Sequence, residues 1–146
     1  MAAGITNQGQ ENMLNLLKNV TWPSSGAWGA ALTEVWVGLF TTNPTSNAAT
    51  SNGSTEVSGN AYARQGITSG SWTGPTASGT SYQLTNTNVI TFPTPTPGGW
   101  GTIIGVGIFD ASTSGNLLMW NSISSQAIGV GVVASFAANA LVFNVE

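Results

Sequence analysis

The sequence predicts an all-β fold: an antiparallel β-sandwich or jelly roll of about eight short strands, preceded by one N-terminal helix. Three observations predict it. Apolar runs of strand length recur between loops rich in Gly, Pro, Ser and Thr. Only one stretch has helical periodicity, which argues against the βαβ alternation of a parallel sheet. The six Trp and five Phe fall mostly on or beside the strand-like runs, where large rings can build a core for a chain with many small residues.

The helix is expected over residues 7–20. Asn7 can cap it, and Gln10 stands three positions on. Met13, Leu16, Leu17 and Val20 fall at i, i+3, i+4 and i+7 and form one apolar face. That face either packs on its own domain or docks on a neighbouring subunit, so these four residues are candidate subunit contacts. Thr21-Trp22-Pro23 ends the helix, because a residue before proline avoids the α region. Residues 1–31 thus read as an N-terminal arm, and 32–146 as a β-sandwich domain.

The first strand is expected at 34–41 (EVWVGLFT), where a near-continuous apolar run implies burial on both faces. Residues 42–60 are polar and read as a long surface loop, broken by a short pairing near 55–57. Residues 61–69 alternate Tyr62, Arg64 and Gly66 against Ala63, Gln65 and Ile67, as a half-buried strand would. Residues 70–81 read as a further loop, and 82–92 as one or two short strands. Pro93, Pro95 and Pro97 then force an extended connector. The segments 101–110 and 116–122 flank a turn and predict a hairpin. Strands at 127–136 and 140–145 complete the count.

Composition narrows the function. The charged fraction is 5%, from two basic and five acidic residues, and the net charge is −3. A neutral surface rich in Thr, Asn, Ser and Gly suits a protein that lives in contact with partners, since charges are depleted from interface cores. Nucleic-acid binding is not expected, because phosphate contacts need many Lys and Arg and the chain has only Lys18 and Arg64. No apolar run reaches the length of a membrane-spanning helix, so no membrane contact is expected.

Catalytic chemistry is scarce as well. The chain has no His and no Cys, which removes imidazole bases, thiol nucleophiles and ordinary zinc sites. A glycosidase needs two flanking carboxylates, and Glu34, Glu56 and Asp110 are the only acids in the β region before the last residue. Their expected role is isolated or capping. We therefore expect no catalytic, cofactor-binding or metal-binding residues. Arg64 is the only arginine, and in a half-buried strand it needs a partner that Glu56 or Asp110 could supply as a structural ion pair. A carbohydrate-binding module is an alternative of another class. Trp72 and Trp100 lie in loop-like stretches and are its candidate sugar platforms, with packing beneath the loops as the simpler role.

The segments VWVGLFTTNPT (35–45), TEVSGNAYARQGIT (55–68) and NVITFPTPTPGGWGTIIGVGIFDASTSGNLLMWNSI (88–123) carry a further signal. In this order they resemble small all-β structural proteins in the virions of tailed bacteriophages. Members include capsid cement, or decoration, proteins, and many are labelled tail-fibre-like. The resemblance implies a virion component on the particle surface. The favoured reading is a cement protein that stabilises the head by bridging major capsid subunits, acting as a dimer or trimer and holding no cofactor. The alternative is a tail-fibre or baseplate component that contacts the host surface.

Overall fold

A computed structural model describes residue 14, residues 33–44 and residues 54–145. Among these described residues ten strands run in order: β1 (Glu34–Thr42), β2 (Thr55–Glu56), β3 (Gln65–Thr68), β4 (Trp72–Ser78), β5 (Ser81–Asn86), β6 (Ile90–Thr91), β7 (Gly101–Phe109), β8 (Leu117–Ile128), β9 (Ser135–Phe136) and β10 (Val142–Val145). A short 3₁₀ turn at Ser69–Ser71 joins β3 to β4. The chain is all-β and its sheets are antiparallel. Among the described residues no helix is long and apolar enough to cross a membrane. The expected helix at 7–20 lies outside the described residues except for Leu14, which has helical backbone and is fully buried.

The described residues fall into two compact units. One contains residues 35–66 and 90–136, and the other contains residues 67–89 and 137–145. The first unit is built on a sheet in the order β2-β1-β7-β8, with β3 also paired to β1. β1 lies between β2 and β7, so both its edges are paired, and its apolar residues are buried on both faces. Val37, Leu39, Val106 and Ile108 are buried together on the two central strands, where Val37 pairs with Ile108 and Leu39 with Val106. The opposite face carries Phe40, Phe109 and Leu117, with half-buried Trp36 packed against them. The Phe40 and Phe109 rings meet at 5.9 Å. The two-stranded β6-β9 sheet completes this unit, with Phe92 and Phe136 edge-to-face at 6.4 Å.

The second unit is a three-stranded sheet ordered β10-β5-β4. Its core holds Trp72, Leu84, Leu141 and Phe143, with Trp72 and Phe143 in edge contact at 6.5 Å. Asn86 is buried among them with 1% exposure, and every polar group it carries is used. Its side chain accepts from the Leu141 N–H and donates to the carbonyls of Asn88 and Ala137. Its backbone N–H donates to Leu141, and its carbonyl accepts from Asn139. One amide thus ties the 137–141 segment to the end of β5.

Three expectations are corrected by the strand map. Residues 70–81 contain β4 rather than a loop. Gly and Pro hide it, but β4 is outermost in its sheet, and its register shifts between Thr73 and Thr76, where Gly74 and Pro75 sit. Proline is tolerated at such a bulge on an outer strand. Residues 61–64 are not strand: Gly59, Asn60 and Ala61 have positive φ and make a turn, so β3 starts only at Gln65. Nor does one strand run over 127–136: its first two residues end β8 and its last two form β9. β8 continues to Ile128 through the polar stretch Ser122–Gln126, and a turn at Val130-Gly131 follows, with Gly131 at φ +75°. Val130, Val132 and Val133, the apolar residues that suggested a strand, are exposed.

Candidate functional site

The first unit gathers its charge at one place, and the sequence explains how. β1 crosses the sheet with Gly38 on the same face as Trp36 and Phe40. A Cβ on Gly38 would lie 2.8 Å from a Glu56 carboxylate oxygen and 2.8 Å from the Phe109 ring. The missing side chain is the space in which a buried carboxylate can sit against the sheet. β2 brings Glu56 to that space by pairing Glu56 with Phe40.

The turn at residues 59–62 delivers the partners. Asn60, in left-handed backbone at φ 49°, donates from its side chain to the Gly99 carbonyl at 2.9 Å. Its own carbonyl accepts from the Thr96 N–H and from the Trp100 indole N–H. Tyr62 then packs edge-on to Trp100 at 5.3 Å and stacks on Phe92 at 6.3 Å. Trp100 is therefore a core anchor, 6% exposed, and Trp72 of the second unit is 3% exposed. Neither offers a face to a sugar, so both fill the packing role and not the platform role.

Tyr62 and Arg64 converge on Glu56. The Tyr62 hydroxyl donates to Glu56 Oε1 at 3.0 Å and accepts from the Leu39 N–H at 2.8 Å. Arg64 grips the same carboxylate in a fork, Nε to Oε1 at 2.7 Å and Nη2 to Oε2 at 2.6 Å. This bidentate geometry is the strong form of a charge-assisted hydrogen bond. The Arg64 side chain is 8% exposed and the Glu56 side chain 20%. The guanidinium carbon lies 3.4 Å from the centre of the Phe109 ring, an aromatic face that favours a cation. Burial, then the neighbouring Glu56 carboxylate, pushes the Tyr62 phenol far above its ordinary pKa, so the hydroxyl stays a donor.

The free end of Arg64 reaches the loop between β7 and β8. Nη1 donates to the Ala111 carbonyl at 2.8 Å and to the Ser114 carbonyl at 2.7 Å. Arg64 therefore pairs with Glu56 and not with Asp110. Asp110 serves the loop from its own side, accepting from the Asn116 backbone at 2.7 Å and the Asn116 side chain at 2.8 Å. Those two bonds hold its carboxyl below the usual carboxylate range. The loop is exposed but fixed at both ends.

Beside this cluster lies a cleft of about 430 Å³. Trp36 and the loop residues Ser58, Ser112 and Thr113 stand around it, and the Arg64–Glu56 pair lies within it. Glu56 and Asp110 are each engaged by their partners, and Glu34 stands half-buried at the start of β1. The expected subunit contacts Met13, Leu16, Leu17 and Val20 lie outside the described residues. Sequence reasoning missed Tyr62, Asn60 and the 111–114 carbonyls. The spacing of Tyr62 and Arg64 was the signal for the first; backbone carbonyls leave no signal.

A protein family described as podophage GP4 fiber I protein gp80 matches residues 4–144. No curated protein matches the chain. The match spans nearly the whole sequence, and the chain belongs to this family.

Proposed function

We propose that this member of a podophage fibre family is a fibre component that meets the host surface, and not a capsid cement. The chain is a phage virion structural protein, and the observation that carries the finer reading is the fibre family matching residues 4–144. The composition agrees with it. Ser, Thr, Asn and Gly dominate the exposed loops, and a neutral polar surface meets neutral partners without paying to desolvate charge.

In this reading the protein works by contact and not by catalysis, and it needs no cofactor. Its charged pair is a structural latch, since Arg64 and Glu56 spend their hydrogen bonds on each other and on the chain around them. Copies of the chain and other virion proteins are its partners. The exposed apolar residues Leu118, Trp120, Val130, Val132 and Val133 support that, because exposed apolar surface favours burial against another protein. Gold-labelled antibody against the purified chain tests the location by electron microscopy of intact particles. Label on the fibres is expected. Label spread over the head lattice would restore the cement reading.

A further inference from the structure

We propose that the cleft beside the Arg64–Glu56 pair binds a neutral saccharide, an inference that rests on the fibre reading and gives it a contact site. The argument begins with what the cleft offers. Trp36 is half-buried, held against Phe40, Phe109 and Leu117, and its indole N–H has no hydrogen-bond partner among the described residues. The hydroxyls of Ser58, Ser112 and Thr113 are likewise unpartnered among the described residues, and all three residues are exposed. A sugar ring has an apolar C–H face and a rim of hydroxyls that both donate and accept. An aromatic face ringed by hydroxyl side chains is its chemical complement.

Charge selects within that class. Among the described residues the only cation at the cleft is neutralised by the carboxylate that it grips at 2.6 Å. Four of the five guanidinium N–H groups are already committed, which leaves little for a carboxylate, sulfate or phosphate on the ligand. A neutral ligand meets no opposing charge and strips none of water. The volume, about 430 Å³, lies within the range of small-ligand pockets.

The rim is also fixed before a ligand arrives. Arg64 holds the Ala111 and Ser114 carbonyls on either side of Ser112 and Thr113, and Asp110 closes the loop on Asn116. Across the cleft, the Val57 N–H donates to Leu39 and the Tyr62 N–H to Gly59, bracketing Ser58. A rim that is already ordered loses little entropy on binding, so a few hydrogen bonds suffice.

The test is binding of the purified chain to an array of defined neutral, sialylated and sulfated glycans, with hits titrated in solution by tryptophan fluorescence. Binding to neutral glycans is expected, with affinity reduced at least tenfold in Trp36→Ala. Trp36→Phe keeps the packing and removes the indole N–H, and Ser112→Ala/Thr113→Ala alters only exposed hydroxyls; each should weaken binding several-fold with the fold intact. Val89→Ala, at an exposed position of the second unit, should leave binding unchanged. No binding to any neutral glycan, preference for the charged ones, or undiminished binding in the rim and Trp36→Phe variants overturns the proposal. Loss of glycan binding with fibre labelling intact removes the cleft alone. Glycan binding with label on the head removes the fibre reading alone.

Discussion

The two units solve one problem with opposite chemistry. Each must fasten a distant stretch of chain to a β-strand through a single polar side chain. In the second unit Asn86 does so without charge, reaching residues 51 and 55 positions away. In the first unit Arg64 does so with charge, reaching carbonyls 47 and 50 positions away while Glu56 neutralises it. The amide needs only matched donors and acceptors. The guanidinium needs a counter-ion, an aromatic face and a glycine that opens space for the carboxylate, and in return makes four hydrogen bonds where the amide side chain makes three. In a chain with only two basic residues, placing one of them in a buried pair indicates that the loop it holds is worth fixing.

The difference predicts unequal damage. Arg64→Ala leaves the Glu56 carboxylate with only the Tyr62 hydroxyl and removes the Arg64 donor from two loop carbonyls, and should cost about 3–5 kcal/mol in denaturant unfolding. Amide exchange should rise at Asp110 and Asn116 and stay near its original level at Leu141. Asn86→Ala strands the Leu141 N–H and the Asn88 carbonyl and takes one of two donors from the Ala137 carbonyl, and should cost about 2–3 kcal/mol. Its exchange pattern should be the reverse, with Leu141 and Asn139 opening first. If both variants loosen the same amides, the two fastenings are not independent.

Titration sharpens the contrast, because among the described residues only the first unit contains an acid–base cluster of this kind. The folded phenol of Tyr62 has a raised pKa, so its contribution is fully present below the ordinary tyrosine value of about 10 and is lost as pH rises toward the folded value. Stability should fall above that pH by up to about 1.4 kcal/mol per unit, and Tyr62→Phe should flatten the slope. The smallest effect is expected at Asp110. Its pKa is depressed, so its contribution is present above the ordinary carboxylate range and lost as pH falls through the folded value. Because the carboxyl is exposed to solvent, Asp110→Asn should alter acid stability only slightly, read as a small change in the midpoint of acid unfolding.

The same contrast shows what the sequence could reveal. β1 and the β7–β8 hairpin were legible because apolar runs with β-branched residues have few other uses. Arg64 was legible because it stood alone in the sequence, and so was its need for an acid. Which acid it takes depends on the turn at Asn60, whose left-handed backbone no pattern announces. β4 was hidden because an outer strand with a bulge tolerates the Gly and Pro that mark loops. Asn86 was hidden because it is one asparagine among many, distinguished only by burial. The cleft was hidden for a similar reason. The candidate sugar platforms Trp72 and Trp100 pack inside the two units, the simpler role they were given, while Trp36, which reads as strand core, keeps part of its surface open.

The central claim is that the lone arginine is a latch, joining Glu56 to the β7–β8 loop and leaving Asp110 to act locally. Double-mutant cycles in denaturant unfolding test it most directly, using Arg64→Met with Glu56→Gln and, separately, with Asp110→Asn. The account predicts a coupling of about 2–3 kcal/mol for Arg64 with Glu56, and less than about 0.5 kcal/mol for Arg64 with Asp110. Equal couplings, or none with Glu56, would contradict it.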